Sequence, residues 1–382
     1  MIFLSNCQVR FLLKNSSLVT LDWVFGFFII PLIFIIKGLK IGAFFYNKSV
    51  SSGVLIIKFL GSGNLIAIRE VITSETYIIT AKSNFSAINK FLKHKKAFYI
   101  DDSNFFSLLT TSIFAIFFIL NKRFARVVNL ETESKFAKLL SCIARSEENL
   151  GLTNQHRSYL DKFLYDRYLV NPLMVSRADC IKLLTKFELK TNVYTSASIQ
   201  ESQNNFLTSI TFKSGISKIV FAPTGSDTNN LRRVDANVWK NVLIKLYRSF
   251  AEVEVYFLFP DSNDFQYQSI RNSLSLFKTC KFEICNYDNY LYHLRNCDLI
   301  ICIDSQTLHI ASVFKIPTIC FFGPTNPYSV NSSNFIYPIS HSPMCSPCMH
   351  RYFKSPCDQK APCMLFQDED LAIFDSLKKL CK

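Results

Sequence analysis

The chain lacks several signatures that would decide its class at once. No G-x-G-x-x-G opens either of its α/β halves, which argues against a Rossmann-type oxidoreductase. No Lys/Arg-rich stripe with interleaved aromatics and no nucleic-acid module signature is present, so no nucleic-acid partner is expected. No small-residue cleavage site follows the apolar stretch near the N-terminus, so a removed signal peptide is not expected. That stretch, Trp23–Ile36, has fourteen residues with Pro31 among them, whereas a helix that crosses a bilayer takes roughly 20. Acidic residues are the minority: 29 Asp and Glu against 43 Lys and Arg leave a net charge of +14. Such a balance favours acidic partners, anionic lipid or phosphorylated substrates among them.

What is present describes a folded two-domain protein. The 382 residues are 49% hydrophobic, enough for two cores of ordinary size. The N-terminal run has two readings. One is an in-plane or re-entrant helix at a membrane, with Trp23 at the interface and Lys37, Lys40 and Lys48 meeting an anionic surface. The other is a helix packed on a domain core. The run is apolar all round, which favours the membrane; the expected location is then cytoplasmic, peripheral or monotopic on the inner membrane. Most of the thirteen cysteines sit inside apolar runs, Cys302 and Cys320 for example, as buried thiols in a reducing compartment do.

Strand-like and helix-like segments alternate twice. The first series begins with VLIIKFL and the turn Gly61-Ser62-Gly63-Asn64, then continues through YIIT (77–80), a helix from Phe105 to Leu120 and ARVVNL (125–130) to a helix over 132–145. Glu131 follows the ARVVNL strand, where an acid either does chemistry or stabilises a helix N-terminus. Residues 150–205 are less regular, and Arg157, Tyr165, Arg167 and Tyr168 read as a polar, aromatic surface. The second series runs from KIVFA (218–222) and the turn Pro223-Thr224-Gly225-Ser226 to DLIICIDSQTLHIASVFKIPTICFFGPTNP (298–327). That last stretch is a βαβ unit, whose ligands bind at the strand carboxyl ends. A helix starting at Ser305 supplies N–H groups and partial positive charge to a diphosphate. Thr224 and Ser226 add hydroxyls and Arg232 a guanidinium. His309, one turn in, is either a phosphate donor or a satisfied core histidine; D-S-x-x-x-H at a strand-to-helix junction favours the former. Asp304 has a second reading, as a structural acid holding the turn.

The same stretch resembles the D-[ST]-G-x-x-H…FGPT signature of the family 9 glycosyltransferases, the ADP-heptose:lipopolysaccharide heptosyltransferases and their relatives. PTGSDTNNLRRVDANVW (223–239), VLIIKFLGSGN, NLETESKFAKLLSCIARSEENLGL and CSPC…C…CM (345–364) resemble further family segments. The resemblance implies an α/β, GT-B architecture of two Rossmann-like domains facing across a cleft. It implies an inverting, metal-independent transferase that moves a sugar, a heptose in many members, from a nucleoside-diphosphate donor to a glycolipid or polysaccharide acceptor. Residues 1–50 are then a membrane-associating segment, 51–205 the acceptor domain with Gly61, Ser62 and Gly63 on the acceptor side, 206–366 the donor domain, and 367–382 a helix packing back towards the first domain. Thr224, Ser226, Arg232, Asp304, Ser305, Gln306, His309, Gly323 and Thr325 are implied to line the donor.

Two departures stand out. The family aspartate that takes the acceptor proton is Asn64, and an amide cannot serve as base; Glu131 is the substitute, with burial expected to raise its pKa. The signature glycine is Gln306. Both motivate an alternative reading, a non-catalytic scaffold that binds nucleotide-sugar or glycolipid at the membrane. Cys345, Cys348, Cys357 and Cys363, spaced C-x2-C-x8-C-x5-C, can hold a structural zinc or form a loop of paired or free thiols.

Overall fold

Strands that are apolar on both faces must be covered on both faces, and parallel sheets clothed in helices do this. A computed structural model of the protein describes residues 29–33, 35, 53–59, 61–93, 96–132, 134–153, 159–170, 197–212, 215–225, 230–277, 279–330, 333–341, 343, 345–348, 356–357 and 360–381. Their strands form two six-stranded sheets, each in its own compact unit.

The first sheet holds β1 (Val54–Ile57), β2 (Thr76–Ala81), β3 (Ala97–Ile100), β4 (Arg123–Asn129), β5 (Arg145–Thr153) and β6 (Arg167–Val170). Their spatial order is β3-β2-β1-β4-β5-β6, and every pairing is parallel. The order reverses between β1 and β4, the switch point of a doubly wound sheet. Helices α1 (Ser62–Ala67), α2 (Phe105–Leu120) and α3 (Lys135–Ile143) accompany it. The core joins Leu55, Ile57, Phe124 and Val127 of the strands to Leu108, Ala115 and Ile119 of α2 and Phe136 and Leu140 of α3.

The second sheet repeats the plan. β7 (Lys218–Ala222), β8 (Glu254–Phe259), β9 (Cys280–Ile284), β10 (Leu299–Ile303), β11 (Thr318–Phe322) and β12 (Ile336–Ser340) lie in the order β12-β11-β10-β7-β8-β9, again all parallel. The switch point falls between β7 and β10. Helices α4 (Ala197–Ser209), α5 (Ala236–Ser249), α6 (Phe265–Ser273), α7 (Tyr287–Arg295) and α8 (Gln306–Phe314) complete the unit. Trp239 of α5 is fully buried and meets Phe221 and Phe321 edge-on at 5.9 and 5.2 Å. Helix α4 runs across the 205–206 boundary expected from the sequence and packs on β12, with Gln203 Nε2 donating to Pro338 O at 2.9 Å.

Several expectations need correction. The helix expected over 132–145 ends at Ile143, and two further strands, β5 and β6, follow it. Tyr165 is no surface residue: it is 4% exposed, and Gly151 of β5 makes its room, since a Cβ there would lie 2.4 Å from the ring. The C-terminal run buries Ile373, Phe374 and Leu377 in the second unit's core, not the first's. Of the N-terminal run, residues 29–33 and 35 are described and helical. Ile29 and Ile33 pack in the first unit's core, while Leu32 and Ile35 are exposed. Trp23 and Lys37, Lys40 and Lys48 lie outside the described residues, as does Arg157. No helix among the described residues is long and apolar enough to cross a membrane.

Candidate functional site

In each unit the polar residues singled out from the sequence sit where the two central strands end. In the second unit Asp304 closes β10 and is 4% exposed. Its backbone carbonyl accepts from Arg232 Nη1 at 2.9 Å, and its Oδ2 lies 3.4 Å from the same nitrogen. The Thr325 hydroxyl, from the turn after β11, donates to that Oδ2. Asp304 thus binds guanidinium and hydroxyl together. Arg232, held at its distal nitrogen, keeps a partly exposed side chain.

Helix α8 starts beside this group. Ser305 caps it, its Oγ accepting from Thr307 N at 3.4 Å, so the following N–H groups and the positive end of the helix dipole face the β10 end. Gln306 is tied sideways: its Nε2 donates to Tyr287 OH of α7 at 3.0 Å. Burial pushes the Tyr287 phenol up to about 12, so it stays a neutral partner. Tyr290, one turn on, bonds the Thr307 hydroxyl. His309 is 8% exposed on the same helix. Thr224 is half-buried at the end of β7 and Gly225 exposed; Ser226 lies outside the described residues.

Gly323 and Pro324, after β11, are braced from behind by the cysteine loop. Ser346 Oγ donates to Gly323 O at 2.6 Å and Cys348 N to Pro324 O at 3.0 Å. A Cβ on Gly323 would stand 2.2 Å from Met364 Sδ and 3.1 Å from Cys363 Sγ. Cys348 and Cys363 are buried. Burial first, then neighbouring thiols, raise both, Cys363 to about 12. Cys345, Cys348 and Cys363 form no disulfide. Elsewhere in the unit, ligating atoms of Glu283, Cys285 and His293 lie within 4.8 Å of one another, with His293 Nε2 2.7 Å from Glu283 Oε2.

In the first unit the switch point holds an ion pair. Lys58 follows β1 and Glu131 follows β4; Lys58 Nζ donates to Glu131 Oε1 at 2.6 Å, and Phe59 N donates to the same oxygen at 2.8 Å. Both residues are buried. Glu131 N donates to Asn129 Oδ1 at 2.9 Å, and Asn129 Nδ2 to Tyr165 OH at 2.8 Å, so the carboxylate is aimed by a chain of bonds reaching β6's approach. The glycine turn follows Phe59. Gly61 has φ +83°, and a Cβ there would meet the Asn64 amide at 2.7 Å, so only glycine fits. Gly63 is buried, Ser62 half-buried and Gly61 exposed at the start of α1.

Sequence reasoning missed Lys58, Tyr287, Tyr290 and Ser346. Lys58 had a signal, a lysine inside an apolar strand run, since a buried ammonium requires a partner. The tyrosines and Ser346 had none.

The profile of glycosyltransferase family 9 (heptosyltransferase) matches residues 118–362. Among solved structures the chain is similar to E. coli heptosyltransferase WaaC with ADP, with 12% identity and a TM-score of 0.58 over 86% of this chain and 99% of that one. It is similar to the glycosyl transferase family 9 protein of Veillonella parvula, with 12% identity and a TM-score of 0.59 over 87% and 99%. For E. coli ADP-heptose lps heptosyltransferase II the figures are 12% and 0.53 over 86% and 99%. No curated protein matches the sequence. At these identities the structural likeness shows the fold, which is the GT-B fold.

Proposed function

The chain belongs to glycosyltransferase family 9, and from that premise we propose that it moves a sugar, a heptose by the family's description, from a nucleoside diphosphate to a lipopolysaccharide or other cell-surface glycan acceptor, with inversion. The observation that carries this reading is the group at the β7/β10 switch point, where Arg232 bonds Asp304 and α8 begins at the next residue, Ser305. A guanidinium and a helix N-terminus are what a diphosphate needs. The related WaaC is known with ADP and with ADP-2-deoxy-2-fluoro heptose, which favours an adenine nucleotide here.

In this reading the acceptor hydroxyl oxygen attacks the anomeric carbon, the bond to the diphosphate oxygen breaks, and the electron pair leaves with the diphosphate. Glu131 takes the hydroxyl proton, a role worth about 10²–10⁴ in rate. Positive charge at Arg232 and the α8 N-terminus stabilises the departing diphosphate. No metal enters the transfer. A structural zinc on Cys345, Cys348, Cys357 and Cys363 belongs to the same proposal and would have to draw these thiols together, since among the described residues the group with ligating atoms within 4.8 Å of one another is Glu283, Cys285 and His293. Two of these thiols are buried and their neighbours oppose thiolate formation; a cation among them would remove that opposition. The transfer would take place at the cytoplasmic face of the inner membrane.

The test is turnover of ADP-heptose with heptose-free lipopolysaccharide by the full chain, alongside Asn64→Ala and Glu131→Gln. Activity that survives the first change and is lost in the second supports the reading. Nucleotide binding with no transfer to any such acceptor overturns it in favour of a scaffold.

A further inference from the structure

Helix α2 is apolar on both sides, and the core covers one of them. Leu108, Ser112, Ala115 and Ile119, spaced four, three and four apart, are its buried residues. The opposite side exposes Phe106, Leu109, Ile113, Phe114 and Phe117, with Phe106 79% exposed and Phe114 and Phe117 59% and 58%. Seven of the fifteen exposed large hydrophobic side chains among the described residues lie on this one helix. Scattered exposed hydrophobics are normal; a stripe of them marks an interaction surface.

We infer that this face of α2 docks in the interfacial layer of an anionic phospholipid bilayer, with the helix in the membrane plane. The helix has 16 residues, short of the roughly 20 needed to span, and its other face is fixed to the core. The surrounding charge suits an anionic surface. Between Lys82 and Arg126 there are eight Lys or Arg and two Asp; Lys82 pairs with Asp101, and Arg123 and Arg126 pair with Glu147 and Glu148 of β5, while the stretch also carries Lys90, Lys93, Lys95, Lys96 and Lys122 against one further acid, Asp102. At the helix C-terminus the Lys122 ammonium sits over Phe118 and Tyr77 at 5.6 and 4.9 Å, and Lys96 over Tyr77 at 5.0 Å. Aromatic rings beside ammonium groups suit the boundary between acyl chains and anionic headgroups. A second copy is disfavoured as occupant, because pairing these faces would bring two basic surpluses together. The described part of the N-terminal run does not use this face for cover, since its own Leu32 and Ile35 are exposed. The inference rests on the proposed function only in that a lipid-borne acceptor gives the docking a purpose.

The experiment is co-sedimentation of the full chain with phosphatidylglycerol/phosphatidylethanolamine vesicles, without donor or acceptor, so that its outcome is separate from that of the turnover test. The triple variant Phe106→Ser/Phe114→Ser/Phe117→Ser is compared with Leu276→Ser, an exposed position in the second unit. Circular dichroism melts establish that both fold. The expected result is a vesicle-bound fraction at least tenfold lower for the triple variant and unchanged for Leu276→Ser, with weaker binding to pure phosphatidylcholine. Vesicle binding by the triple variant equal to the parent's overturns the inference. So does a parent dimer that the triple variant converts to monomer by light scattering while vesicle binding persists.

Discussion

Lys58 and Glu131, 73 positions apart in sequence, meet at 2.6 Å where the neighbouring strands β1 and β4 end. Both are buried, so each needs the other. Removing one partner of a buried pair leaves an uncompensated charge and costs about 3–5 kcal/mol. Lys58→Ala is therefore expected to lower stability by that order in a denaturant titration. Lys58→Ala/Glu131→Ala is expected to lose less than the sum of the single changes; strict additivity would contradict the pairing.

Gln306, which stands at the glycine of the signature that the stretch resembles, has its amide held by the Tyr287 hydroxyl. Gln306→Gly is expected to change nucleotide affinity by less than about fivefold, roughly 1 kcal/mol. Tyr287→Phe, which frees the amide, is expected to weaken it more than Gln306→Gly does. Calorimetric affinities in the reverse order would show that the side chain obstructs the site.

Gly151 has no room for a side chain against the Tyr165 ring. Gly151→Ala should cost about 1–3 kcal/mol through overpacking. Tyr165→Phe, which keeps the ring and loses only the bond to Asn129, should cost about 1 kcal/mol. Thermal melts separate the two.

Cys363 keeps its proton to about 12 in the folded protein, against 9.0 for an ordinary thiol. The folded state then binds more protons than the unfolded state between those values. Its contribution to stability is whole below about 9 and is lost as pH rises towards about 12. At pH 8 Cys363 should resist alkylation until denaturant is added. If the late cysteines hold zinc, the purified chain should carry about one zinc per chain by elemental analysis, and chelation should lower its melting temperature.

The alternation of apolar runs and helical patterns made both doubly wound sheets legible, since parallel strands announce themselves as continuous hydrophobic sequence. Strands that violate that pattern were not legible. β5 begins RSEE, and its charges are paired across the sheet, Glu147 with Arg123, Glu148 with Arg126 and Arg167; ion pairs stand where apolar alternation would have been the signal. β12 contains Pro338, which an edge strand tolerates because one side of its backbone has no ladder to complete. The site was legible as residue types at strand ends. Its connections were not, because Arg232 with Asp304 and Lys58 with Glu131 are contacts over more than seventy residues that only strand order creates.

The most direct test of the account is calorimetric titration of the full chain with ADP, GDP and UDP, repeated on Arg232→Ala. A charge-assisted bond to phosphate is worth about 1.5–3 kcal/mol. The account predicts that at least one nucleotide binds and that Arg232→Ala weakens it roughly 10- to 150-fold. Binding of none of the three, or binding that the substitution leaves unchanged, would contradict a diphosphate site at the β7/β10 switch point.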